Sequence, residues 1–327
     1  MNKKTRRKST IPKNPARGPL ARKLISEYKK HLENTVTDLA SWKEGKTNAE
    51  KLQESIVSNS TLKQYDPLHA IYIYGQNQLS VLIEQIINLE LVDYLANIYD
   101  EQQTEHMPSG PPQSPLTVSF FTCWGSFDLC TKSAKKETLA SIAIDFCKAV
   151  GVDQSLIDLY ETMQQSRMGI YIHQGTSGRF LYLREMITGK EIKAICASGY
   201  LGQPGELWFV RIMPPLSNNP DANYSVVFTT PYLLSEVMVK NGRQNIVAAT
   251  EAKWLGYFDR NFHHTKVNSK IEAYEQLMKY GPNPYYWSEY IFLAYCNFTP
   301  EMICLTGIPD IIESLPHGEM ARDTLRI

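Results

Sequence analysis

Met168–Thr230 decides the fold: MGIYIHQG (168–175), GRFLYLREM (178–186), TGKEIKAICAS (188–198), GYLGQPGELWFVRIMPP (199–215) and NYSVVFTT (223–230). Each piece is short, rich in aromatic and β-branched residues, and closed by turn chemistry, which is the pattern of consecutive strands. Phe180 and Tyr182 alternate with Leu181 and Leu183, and Trp208, Val210 and Ile212 with Leu207, Phe209 and Met213. With apolar residues on both faces, one side is expected to close a small barrel or curled sheet while the other packs on helices. Gly175 and Gly178, Thr188-Gly189 and Pro204-Gly205 mark the turns, and Pro214-Pro215 stops a strand because proline cannot donate to a ladder.

The flanks read as helices. Leu24, Ile25, Tyr28, Leu32, Val36 and Leu39 recur at three- and four-residue intervals over Leu20–Trp42, and a short helix is expected over Asn48–Leu62. Leu68–Glu105 has helical spacing and enough Leu and Ile for burial on more than one side. His106–Pro115, with four prolines and a glycine, reads as a linker. Leu116–Cys130 suits either a strand or an apolar helix. Glu137–Val150 puts Leu139, Ile142, Ala143, Phe146 and Cys147 on one face with Gly151 just past its end, and Asp153 is placed to cap the next helix. Beyond Thr230 the chain is expected to turn helical again, with Pro231 in a first turn. Further helices are expected from Thr250, after Ser269, over Tyr285–Phe298 and over Pro300–Leu315. The expected class is α+β: a mostly helical chain with a small antiparallel barrel or curled sheet inserted at about 168–230. Its regions are a basic disordered tail (1–23), a helical N-terminal region (24–105), a Pro-rich linker (106–115) and a helical region carrying the β-module (116–327).

Composition narrows function. Of 327 residues, 43% are apolar and 21% charged, an ordinary globular balance. No apolar run approaches the roughly 18 residues that cross a bilayer, and no apolar core follows the basic start, so the chain reads as cytoplasmic and without a membrane partner. The six cysteines contain no Cys-x-x-Cys pair, which points to buried thiols rather than a zinc ribbon. Charge is balanced at 34 against 34, yet nine of the 34 basic residues and no acidic one lie in 1–23, leaving 25 against 34 beyond it. Lys3, Lys4, Arg6, Arg7 and Lys8 lead this tail, a candidate for phosphate backbones or for the chain's own acidic body.

QQSRMGIYIHQG, LREMITGKEIKAICASGYLGQPGELWFVRIMPP and VVFTTPYLL together resemble a segment of a bacterial protein family. That family joins a helical region to strands bearing an L-R-E/D-L-x-T-G turn and a P-G-E/D-L-x-x-x-R strand. Similar strands occur in some SEC-C-motif-containing proteins. The likeness covers about a fifth of the chain and implies a bacterial cytosolic protein with a β-module. The SEC-C cysteine cluster is absent, so no zinc site carries over, and the likeness implies no activity or cofactor.

Two constellations carry chemistry. Arg179, Arg184, Glu185 and Arg211 lie on the β-segment, and an arginine inside LWFVRIM is expensive to bury alone. Arg211 is expected to pair with Glu185 or Glu206 or to reach solvent. In the functional reading Arg184, Arg211, Tyr182 and Trp208 form an anion- or base-binding patch. On a helix, Asp259 and His263 stand one turn apart and could present two metal ligands. More plainly they form a surface pair. His173 reads as an ordinary surface or half-buried strand histidine. No nucleotide-binding loop, hydrolase elbow or His-Glu-x-x-His pattern occurs. The expected function is an intracellular binding or regulatory protein rather than an enzyme. The alternatives are nucleic-acid association through the basic tail and a metal-dependent enzyme around Asp259 and His263.

Overall fold

The computed structural model describes residues 18–34, 58–106, 117–132, 135–217, 222–262, 268–280, 294–298 and 301–306. The Met168–Thr230 stretch folds into β1 (Arg167–Ser177), β2 (Phe180–Glu185), β3 (Glu191–Cys196), β4 (Leu207–Met213) and β5 (Ser225–Val227). β1 pairs antiparallel with both β2 and β4, β2 with β3, and β4 with β5, while β3 and β5 run parallel and close the ring. The result is a closed barrel of five strands within an α+β fold. The expected antiparallel pairing therefore gives way at one seam. The fourth strand returns beside the first, as in a Greek key, and the fifth, antiparallel to the fourth, must then lie parallel to the third.

The alternation in the sequence sorts side chains between two cores. Tyr171, Leu181, Leu183, Ala194, Trp208, Val210, Ile212 and Val227 fill the barrel. Ile170, Leu207, Phe209, Met213 and Val226 point outward into a larger core shared with the helices. Burying both faces of β4 accounts for its apolar run, interrupted by Arg211 alone.

Helices α1 (Pro19–Asn34), α2 (Asn59–Leu62), α3 (Pro67–Ile87), α4 (Asp93–His106), α5 (Val118–Phe127), α6 (Leu139–Val150) and α7 (Gln154–Gln165) precede the barrel. Caps set their ends. Asp66 accepts from the Leu68 and His69 amides at the start of α3, and Thr138 and Ser141 cap α6 reciprocally. Gly151 closes α6 at φ 80°, and Asp153 caps α7. Thr117, accepting from the Phe120 amide, caps a helix over Val118–Phe127, where either a strand or an apolar helix was expected. Leu68, Tyr72 and Leu79 of α3 share one core with Phe120, Ile142 and Phe209, so the helices on either side of the Pro-rich stretch pack into one body. Residues 107–116 and the tail through residue 17 lie outside the described residues.

The region after Thr230 corrects the helical expectation. Pro231 opens no helix. Tyr232–Lys240 (β6) and Arg243–Ala248 (β7) form a hairpin, turned by Asn241 at φ 53° and Gly242 at φ 73°. Ala294–Phe298 (β8) and Ile303–Thr306 (β9) are strands where helices were expected, with β9 parallel to β6. Long-range pairing to the β6 edge overrides local propensity there. Two helices do lie where expected, α8 (Glu251–Phe262) and α9 (Lys270–Tyr280). Among the described residues no helix is long and apolar enough to cross a membrane.

Candidate functional site: the outer face of strands β2 and β3

Gly178, at φ 59°, turns β1 into β2, and the alternation then points Phe180, Tyr182 and Arg184 away from the barrel interior. Opposite them on β3, Glu191 and Lys193 point outward while Ala194 faces in. Tyr182 and Lys193 are direct register partners across the two strands. The Lys193 ammonium lies 4.0 Å from the Phe180 ring centroid, and the Arg179 guanidinium lies 5.0 Å from the same ring and 5.5 Å from that of Tyr224. Tyr182 is 39% exposed, high for an aromatic side chain with a barrel behind it.

The arginines are held from the helical side. Arg179 pairs with Asp66 at the mouth of α3 (2.5 Å), and Asp66 also accepts from the Tyr224 hydroxyl (2.8 Å). Arg184 donates to both carboxylate oxygens of Glu251 at the start of α8, at 2.9 and 3.0 Å. Both side chains are thus oriented without being buried. The face presents two aromatic rings and three cations, with Glu191 at one corner holding Gln174. Such a surface can stack a planar ring and accept negatively charged oxygens.

The four residues expected to form one patch are divided by β4. Tyr182 and Arg184 share the outer face just described. Trp208 is fully buried inside the barrel, its indole N–H donating to Glu206 at 2.9 Å. Arg211, 1% exposed, points the other way, under the helices. It pairs with neither Glu185 nor Glu206 and does not reach solvent: its partner is Asp128, at the end of α5. The guanidinium also donates to the Ser166 carbonyl (3.0 Å) and hydroxyl (3.1 Å). Lys279 of α9 lies 3.2 Å from the other Asp128 oxygen and donates to the Gln164 and Ser166 carbonyls. Burial pulls the Lys279 ammonium down to about 8, against the attraction of Asp128. Glu185 is bound by Arg167, which also reaches Glu275 and ties α9 to β1 and β2. These buried ions tie helices to the barrel and offer a ligand nothing.

Asp259 pairs with Lys270, and His263 lies outside the described residues, as do Lys3, Lys4, Arg6, Arg7 and Lys8. Among the described residues no group of three His, Cys, Asp or Glu side chains could hold a metal ion. His173 departs from the ordinary strand histidine expected. It is 1% exposed, its ring tilted 39° against that of Trp208 at 5.1 Å, and neither ring nitrogen has a hydrogen-bond partner. Phe180 and Lys193 were not singled out from sequence, although the period-two pattern of FLYLR and EIKAI places both on the face of Tyr182. No family model, curated protein or solved structure matches the chain.

Proposed function

We propose that this protein is an intracellular binding protein, and that the outer face of β2 and β3 receives single-stranded nucleic acid. The observation that carries the reading is the Tyr182–Lys193 register pair, set beside Phe180, Arg179 and Arg184. An exposed ring next to cations suits a base stacked on tyrosine with its phosphates on Lys193 and Arg179. Five-stranded Greek-key barrels of the OB type use their strand 2–3 face for oligonucleotides or oligosaccharides, an analogy of fold that adds weight without assigning function. The basic tail led by Lys3, Lys4, Arg6, Arg7 and Lys8 supplies further phosphate contacts to a body that is otherwise acidic.

The test is fluorescence anisotropy with labelled single-stranded and duplex oligonucleotides, using the full chain. The single strand should bind more tightly, and Tyr182→Ala should weaken it by the loss of one stacking contact, about 1–3 kcal/mol. Lys193→Ala and removal of residues 1–17 should each flatten the salt dependence. Equal binding of the wild type and the Tyr182→Ala/Lys193→Ala variant would reject the face. Absence of any binding would reject the ligand class.

A further inference from the structure

Between β3 and β4, residues 197–206 (ASGYLGQPGE) cross one mouth of the barrel as a strap. Gly199, Gly202 and Gly205 take φ of 82°, 68° and 94°, so every third residue adopts a conformation that a side chain resists. The strap lies flat on the barrel core: a Cβ on Gly202 would fall 2.4 Å from the Trp208 indole. Its start is tied to β5, the Ala197 amide donating to the Val227 carbonyl (2.9 Å), and side chains add a few further contacts. Ser198 donates to the Glu301 carbonyl (2.6 Å), Tyr200 to one Glu206 oxygen (3.0 Å), and Trp208 to the other (2.9 Å).

Beneath it sits His173. Its backbone holds the strap's far end, donating to the Glu206 carbonyl (2.9 Å) and accepting from the Gly205 amide (2.8 Å). Its imidazole has no such anchorage, lying between Trp208 and the strap with both nitrogens unpartnered. The groups around it are few. The strap contributes the Leu201 carbonyl and Tyr200, β4 contributes Trp208 with Glu206 just before it, and β2 contributes Leu183, its register partner. Glu206 is the one charged group among them, and both of its oxygens are already engaged.

A neutral imidazole tolerates this site, whereas an imidazolium requires two acceptors. The Leu201 carbonyl already stands beside the ring as one; a second becomes available if Glu206 turns away from Tyr200 and Trp208, or if the strap shifts to offer another carbonyl. Either movement undoes the contacts that hold the strap down. We propose that protonation of His173 lifts the 198–206 strap from the barrel mouth and uncovers Trp208. Burial holds His173 below the ordinary histidine range, the Leu201 carbonyl and Glu206 opposing it only in part, so the opening belongs to mildly acidic conditions.

Hydrogen–deuterium exchange on the full chain at pH 7.5 and 5.0, corrected for intrinsic rates, tests this directly. Amides of 199–203 should exchange at least tenfold faster at the lower pH, with the helices unchanged. His173→Phe, which retains an aromatic ring without a titrating group, should abolish the step. Glu206→Gln should move it to lower pH by removing the one facing anion. Should His173→Phe fail to fold, the ring proton of His173 followed by NMR in the wild type decides, because its titration must coincide with the change in strap amides. Strap exchange that is the same at both pH values, a step that survives in His173→Phe, or titration of His173 with no change in the strap would each overturn the proposal.

Discussion

Replacing Asp128 with asparagine should be among the most damaging near-isosteric changes in this protein. Asp128 is the one carboxylate between two buried cations, Arg211 and Lys279, whose side chains are 1% and 12% exposed. Removing one member of a buried ion pair costs about 3–5 kcal/mol, because the partner is left charged and dry. The two cations respond differently. Lys279, already pulled to about 8, can shed its proton near neutrality, which limits its share. Arg211 cannot, so most of the penalty falls on it. Arg211→Met should cost less, about 1–3 kcal/mol: it removes the ion pair with Asp128 and the hydrogen bonds to Ser166, but Asp128 keeps Lys279, so no buried charge is left without a counter-charge. Against a typical total of about 5–15 kcal/mol, the Asp128→Asn loss is a large fraction. Urea unfolding at pH 7 measures both, with the double variant completing a cycle in which the two losses should fall well short of adding. If Asp128→Asn cost under about 1 kcal/mol, or less than Arg211→Met, the buried cluster could not be held together by charge as argued.

Lys279 also has a pH signature. Between about 8, its folded value, and its ordinary 10.5, the unfolded chain binds more protons, so its penalty fades and stability gains as pH rises. Buried phenols such as Tyr274 and Tyr171, raised by burial, work in the opposite sense above about pH 10. The Lys279 contribution therefore shows best as the difference between wild type and Lys279→Met in urea melts from pH 8 to 9.5. His173 gives the acid counterpart: with its folded value lowered, stability should fall as pH drops below about 6.5, and His173→Phe should remove that slope. At the N-terminal end, Glu137 accepts from the Leu20 and Ala21 amides at the start of α1, at 3.2 and 3.0 Å. Glu137→Gln should weaken that anchorage by about 0.3–2 kcal/mol, seen as faster exchange in α1 alone. Gly18→Ala should do the same, because its Cβ would fall 2.0 Å from the Glu137 carboxyl.

What the sequence made legible was local. Gly151 at the end of α6, Asp153 before α7 and the turns of Gly178 and Gly189 follow from the residues themselves, and each is found in its expected conformation. The hairpin of β6 and β7 was equally local, since Asn241-Gly242 between two apolar runs is a turn signal. Pro231 before it suits the first turn of a helix equally well, and that local signal points the other way. The strands at 294–298 and 303–306 were not local, because β9 exists by pairing with β6 some seventy residues earlier in the chain. At the candidate site the same division holds. Tyr182 and Arg184 could be assigned to one face by alternation. The inward position of Trp208 and the helix-covered position of Arg211 could not, because both faces of β4 are apolar and only the assembled barrel distinguishes them. Asp128, which answers the charge of Arg211, comes 83 residues before it, beyond any spacing rule.

The most direct test of nucleic-acid binding by the barrel is photocross-linking of the full chain to a single-stranded oligonucleotide, with the modified peptides identified by mass spectrometry. Cross-links concentrated on 179–184 and 191–195, and lost in Tyr182→Ala, are the predicted result. Cross-links confined to residues 1–17, or spread over the surface without regard to Tyr182, would contradict it.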